Sequence, residues 1–114
     1  MQKKVRVAVT AIALNGLAFS TVSLADGTNQ GDAAAGKAKA ALCMGCHGMN
    51  GEGKAMPVGQ ASYPRLAGQV PAYFIKSLYD FRSGARDDVM MAAIAKGLTE
   101  PEIADLAAYY AKLK

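Results

Sequence analysis

Two cysteines, a lone histidine and a pair of adjacent methionines are the residues of this chain with the most chemistry to offer. Cys43-Met44-Gly45-Cys46-His47 reads C-x-x-C-H. At that spacing two thiols can each bond one vinyl group of a single porphyrin, and the imidazole that follows can reach the iron. His47 is the only histidine, so an iron bound through imidazole has one choice. Other readings of the motif fare worse. A zinc site needs four ligands, and two cysteines with one histidine leave the fourth to a carboxylate or water. A thioredoxin-like dithiol expects a βαβ context, which the pattern lacks. A disulfide across three residues closes a very small loop and constrains little.

An iron held by one histidine has a sixth position. A thioether sulfur there gives a low-spin, electron-transferring iron with a raised potential, whereas an open position favours gas or peroxide chemistry. Met44 lies inside the motif, and Met49 and Met56 follow His47 too closely to reach the opposite face without a sharp fold of the chain. Met90 and Met91 stand 43 and 44 residues beyond His47, far enough for a loop and a helix to carry them across. A methionine at helical spacing is by default core filling. The residues alone do not choose between Met90 and Met91.

The elements that must position these groups start after a leader. Lys3, Lys4 and Arg6 precede an apolar stretch over 7–22, and Ser23-Leu24-Ala25 is a small-x-small cleavage site. This is the layout of a secretory signal peptide, so residues 1–25 are expected to be removed and 26–114 to form one domain. The apolar stretch is short for a membrane span and is interrupted by Asn15-Gly16, and no later segment could span. The chain has 13 basic and 9 acidic residues, and three of the basic ones lie in the leader, leaving +1. That balance gives no reason to expect a nucleic-acid partner. A domain this small has a marginal core, which a covalently held apolar cofactor would enlarge.

Helical signals dominate the rest. Residues 26–31 are polar and read as a frayed terminus. Asp32 is a good N-cap for an alanine-rich helix running into Cys43. Residues 47–68 form a loop containing glycine and proline, long enough to suggest a function. A helix begins near Pro71, carries Tyr73, Phe74, Leu78 and Phe81, and ends by Gly84. Asp87 or Asp88 caps a short helix through Met90, Met91 and Ile94. Thr99-Glu100-Pro101-Glu102 is a T-x-x-E capping box opening a last helix with Ile103, Leu106, Tyr109, Tyr110 and Leu113. No strand and no internal repeat is expected. The fold class is all-α, about four helices around one haem.

The chain resembles a class I c-type cytochrome, and within that class the small bacterial cytochrome c-553 and cytochrome c4 proteins. The resemblance rests on 31–37 (GDAAAGK), 43–48 (CMGCHG), 63–69 (YPRLAGQ), 81–84 (FRSG), 90–92 (MMA) and 107–110 (AAYY). It implies one covalent haem c on Cys43 and Cys46, with iron bound by His47. It implies that the Pro64 carbonyl accepts from the His47 ring and that Leu66 packs on the haem. Arg65 either approaches a propionate or stays a solvated loop residue. In these relatives the ligand methionine stands seven positions before the leucine preceding the last helix, which indicates Met91, with Met90 as runner-up. The resemblance further implies that Gly36 faces Tyr109 where the first and last helices cross. Cytochrome c4 carries two such domains and this chain matches one, so a single haem is expected, in a monomer or a weak homodimer.

The implied function is a periplasmic, non-enzymatic carrier of single electrons between redox proteins. The expected donor is a membrane-bound complex, and the acceptor a terminal oxidase or periplasmic reductase. The haem edge nearest Met44, Gly45, Met49 and Met56 is expected to be exposed. The alternatives are a haem-binding subunit of a larger dehydrogenase, and a haem peroxidase or gas sensor with an open sixth position.

Overall fold

Five helices follow one another in the computed structural model, which describes residues 30–60 and 62–114. They are α1 (Ala33–Lys39), α2 (Ala41–His47), α3 (Pro71–Ser83), α4 (Val89–Lys96) and α5 (Glu100–Ala111). Among the described residues no strand forms, only an isolated antiparallel bridge between Lys54 and Tyr63. The signal-peptide expectation for 1–25 lies outside the described residues.

The all-α expectation is met, but the single helix expected to run into Cys43 is two. The break is at Ala40, whose N–H is shared between the Gly36 carbonyl at 2.9 Å and the Lys37 carbonyl at 3.3 Å. Cys43 N–H then returns to the Ala40 carbonyl at 2.8 Å, an i to i−3 bond that tightens the turn in 3₁₀ fashion. Ala40 is fully buried at this joint.

Capping explains where the helices start. Asp32 accepts from the Ala34 and Ala35 amides, Asp88 from Met91 N–H at 2.8 Å, and Thr99 and Glu102 complete the capping box. Pro71 occupies the first turn of α3, and Gly84 closes that helix in the left-handed region at φ 83°. Of the apolar residues expected on α3, Phe74, Leu78 and Phe81 are buried at helical spacing, while Tyr73 is 53% exposed. Tyr73 lies one position off the stripe defined by the other three, so α3 turns it outward.

The core is built on α5. Ile103, Leu106, Ala107 and Tyr110 are buried there and meet Ala40, Phe74, Leu78, Phe81, Ala95 and Leu98. Burying each large apolar side chain contributes roughly 1.5–3 kcal/mol. Helix α5 packs against α1 and α3, and α3 also packs against α4. The α1–α5 crossing is close because glycine permits it. A Cβ on Gly36 would sit 2.0 Å from the Asp105 carbonyl oxygen and 2.9 Å from Tyr109 Cβ, so the expected Gly36–Tyr109 approach is present. The frayed terminus expected over 26–31 does not extend to Gly31, where a Cβ would lie 2.0 Å from the Ala104 backbone; 26–29 lie outside the described residues. Asp32 N–H also donates to Asp105 Oδ1 at 2.6 Å. None of the described helices is long and apolar enough to cross a membrane.

Candidate haem-binding site

The motif occupies the last turn of α2. Cys43 and Cys46 are half-buried and not bonded to each other, and His47 is buried. A folded-back loop fixes the histidine. Gly53 N–H donates to the His47 carbonyl at 2.7 Å, and Leu66 and Ala67 N–H both donate to the Gly51 carbonyl, at 2.8 and 2.9 Å. Lys54 and Tyr63 exchange backbone hydrogen bonds at 2.9 and 3.0 Å. Together these bonds return the chain so that the Pro64 carbonyl lies 2.8 Å from His47 Nδ1. A carbonyl can only accept, so Nδ1 carries the proton and Nε2 is left with its lone pair. The Tyr63 ring meets the imidazole edge-on at 6.2 Å between centroids.

Glycine makes the fold-back possible. Gly53 has φ 81°, and a Cβ on it would stand 2.9 Å from both Arg65 N and the Tyr63 carbonyl oxygen. Lys54 Nζ reaches back to the Gly45 carbonyl at 2.9 Å, tying the loop to the motif.

Cys43, Cys46 and His47 open onto a crevice of about 620 Å³, within the range of cofactor pockets. Leu66, Phe74, Leu78, Phe81, Ile94, Leu98 and Leu106 supply apolar lining, and the polar residues lining it include Arg65, Gln69, Ser77, Arg86, Asp87 and Asp88. The residues present fit a covalent haem. Two thiols and an imidazole at attachment spacing share a mostly apolar crevice. Among the described residues no three His, Cys, Asp or Glu side chains come together as a metal-binding group.

Every residue singled out from the sequence for this site lines the crevice: Cys43, Cys46, His47, Pro64, Arg65, Leu66, Met90 and Met91. The methionines differ in setting. Met91 is half-buried and packed against the core, whereas Met90 is 60% exposed. Arg65 Nε donates to the Ala67 carbonyl at 3.2 Å. Met44, expected at an exposed edge, instead packs against the core, and of the other two Met49 is 68% exposed while Met56 is half-buried.

A model of the cytochrome c family matches residues 33–114. The chain belongs to the cytochrome c family. It is 42% identical over 84 residues to cytochrome c4 of Pseudomonas aeruginosa, covering 74% of this chain and 39% of that protein. It is 43% identical over 83 residues to cytochrome c-554(548) of Halomonas halodenitrificans, covering 70% of this chain and 94% of that one. A solved cytochrome c4 from Acidithiobacillus ferrooxidans superposes with a TM-score of 0.62 at 35% identity, over 77% of this chain and 53% of that one. The chain therefore spans about two fifths of the Pseudomonas cytochrome c4 and nearly all of the Halomonas protein. Membership implies a covalently attached haem c with iron, and Cys43 and Cys46 fit its attachment pattern.

The sequence reading missed two features around this cytochrome c site. Arg86 joins Arg65 in the crevice lining, with its guanidinium 4.6 Å from the Phe81 ring centroid. Tyr110 Oη is buried without a hydrogen bond of regular geometry, and the Cys43 sulfur is the side chain it interacts with. Burial raises the Cys43 thiol pKa, and the Tyr110 hydroxyl partly offsets this. Burial also pushes the Tyr110 phenol upward. No spacing rule marks either residue, because both reach the site through packing.

Proposed function

We propose that this protein is an exported, periplasmic one-electron carrier with a single haem c, its iron bound by His47 Nε2 and the Met91 sulfur. The observation that carries the reading is the buried His47 ring with Nδ1 committed to the Pro64 carbonyl at 2.8 Å. That bond fixes the tautomer and the ring plane and raises the basicity of the imidazole as a ligand. When bound, the haem supplies a ferric/ferrous couple.

The chain's own residues do the rest. Cys43 and Cys46 hold the group at two points, so it does not exchange with solvent or partners. Leu66, Leu78 and Phe81 exclude water from the crevice. Met91 is preferred over Met90 because its half-buried side chain lines the crevice and packs on the core. His47 and Met91 would both hold the iron from fixed elements, so little in the chain would need to rearrange as the group takes up or gives off an electron. Arg65 and Arg86 are placed to receive propionates. The proposed partners are redox proteins, with a membrane-bound donor complex and a terminal oxidase or periplasmic reductase as acceptor. Encounters of this kind use small interfaces, below about 1,200 Å².

Absorption spectra of the periplasmic protein, oxidised and reduced, test the proposal. The expected result is a sharp reduced α-band and a weak near-infrared ferric band, the latter lost in Met91→Leu and kept in Met90→Leu. A high-spin spectrum that shifts readily with carbon monoxide would assign an open sixth position and replace the carrier reading with a sensor or peroxidase.

A further inference from the structure

The sulfur side of the crevice depends on how α4 is seated, and one arginine outside the crevice lining seats its end. Arg82, in the last turn of α3, sends Nε to the Ala95 carbonyl at 3.1 Å and Nη2 to the Leu98 carbonyl. Those carbonyls belong to the last turn of α4 and to the connection into α5. The final carbonyls of a helix lack intrahelical partners and form its negative end. A planar guanidinium satisfies two acceptors at once and suits that field. The Arg82 guanidinium also lies 5.2 Å from the Tyr79 ring centroid, so an aromatic face on its own helix steadies it.

We infer that Arg82 is a positioning residue for the sixth iron ligand, acting through the backbone of α4. Ala95 lies one helical turn beyond Met91, on the same face of α4. It is fully buried, so it marks the side of the helix turned inward. At the other end, Asp88 accepts from the Met91 amide itself at 2.8 Å. The helix bearing the methionine is thus pinned one turn to either side of its sulfur-bearing residue. Asp88 fixes where it starts, and Arg82 fixes its rotation and its slip along α3. A lysine could neutralise the helix end but could not hold both carbonyls in one plane. The inference rests on the proposed Met91 ligation and adds the group that keeps the sulfur in place.

Imidazole competing for the sixth position reads this out on the holoprotein. The apparent affinity of an outside ligand scales with the fraction of molecules whose methionine is displaced. Arg82→Gln is expected to raise imidazole affinity roughly tenfold or more, the scale of losing a hydrogen bond to a charged group, and to weaken the ferric near-infrared band. Arg82→Lys should recover only part of the loss. In a Met91→Leu background the sixth position is already open, so adding Arg82→Gln should leave imidazole affinity unchanged. A wild-type affinity and band in Arg82→Gln would overturn the inference. So would an equal rise in both backgrounds, which would mark Arg82 as a general stabiliser. If Arg82→Gln does not accumulate as holoprotein, Arg82→Lys is read by the same titrations, with a wild-type value again overturning the role. The parent reading fails separately, if Met91→Leu keeps the near-infrared band and wild-type imidazole affinity.

Discussion

The two walls of the haem crevice are held in opposite ways. The histidine wall is local: Cys43 to Pro64 folds back on itself through backbone hydrogen bonds, and the ring is locked within that one segment. The methionine wall is remote. Met91 rides on α4, whose placement comes from packing against α3 and from Arg82. A wall built from one folded-back segment is specified by its own residues, with glycine at the strained positions. A wall built from packed helices is specified only once its neighbours are present. The first should be intolerant of change within the loop, and the second tolerant of it.

The largest effect is expected beneath the histidine wall, at the helix that leads into the motif. Gly36→Val would drive a side chain into the Asp105 carbonyl, 2.0 Å from the position of a Cβ. Separation of α1 from α5 should cost about 4 kcal/mol or more, seen as loss of holoprotein on expression. Normal accumulation would show that α1 is not needed to hold α2.

Alanine at two other glycines sets the walls directly against each other. Gly53→Ala forces a side chain onto a backbone at φ 81° that crowds Arg65 and Tyr63. A loss of about 1–3 kcal/mol is expected, or a Tm lower by about 5–20 °C. Gly97, after α4, has φ −82°, and its Cβ would meet nothing nearer than 3.5 Å. Gly97→Ala should therefore stabilise by about 0.4–1 kcal/mol by restricting the unfolded chain. Equal effects in thermal unfolding would erase the distinction between the walls.

Smaller still is Tyr110→Phe, behind Cys43. The hydroxyl has no regular hydrogen bond to lose, so denaturant unfolding of holoprotein should shift by less than about 1 kcal/mol. A loss above about 2 kcal/mol would show that the hydroxyl holds the Cys43 sulfur firmly and contributes to the histidine wall.

The smallest effect belongs to pH. The Lys39 ammonium, with the Thr99 cap amide, holds the Glu102 carboxyl down at about 2, against an ordinary 4.5. A depressed carboxylate contributes stability that is present above the unfolded-state value and lost as pH falls toward the folded one. Glu102→Gln should lower Tm slightly at pH 6, and the difference should vanish as pH approaches 2. A difference that persists at the lowest pH would assign the effect to the cap geometry rather than to charge.

What could be read from the residues alone follows the same division. Cys43, Cys46 and His47 declare themselves by spacing, and Asp32, Thr99 and Glu102 by cap chemistry, because each depends on neighbours a few positions away. Pro64 was legible only through resemblance, since nothing in its own chemistry aims its carbonyl at His47. Met90 and Met91 stayed ambiguous because adjacent residues on a short helix differ by one rotation, and packing sets that rotation. The break at Ala40 was hidden for a related reason: alanine favours a helix, and only a tight joint above the motif interrupts it. Arg82 and Tyr110 fall within stretches that carry the resemblance, but nothing in their own chemistry gives their roles, which exist only between helices.

The α1–α5 crossing has a consequence for the order of assembly. Asp32 and Asp105 stand 73 positions apart, yet they meet through a hydrogen bond. Contacts of such long sequence separation form late, because a large loop must close first. Until α5 has been made, α1 has nothing to rest on, and the two thiols just beyond it stay accessible. Until the two helices meet, the thiols of the open chain are accessible to a porphyrin. The last helix then shuts the fold around it.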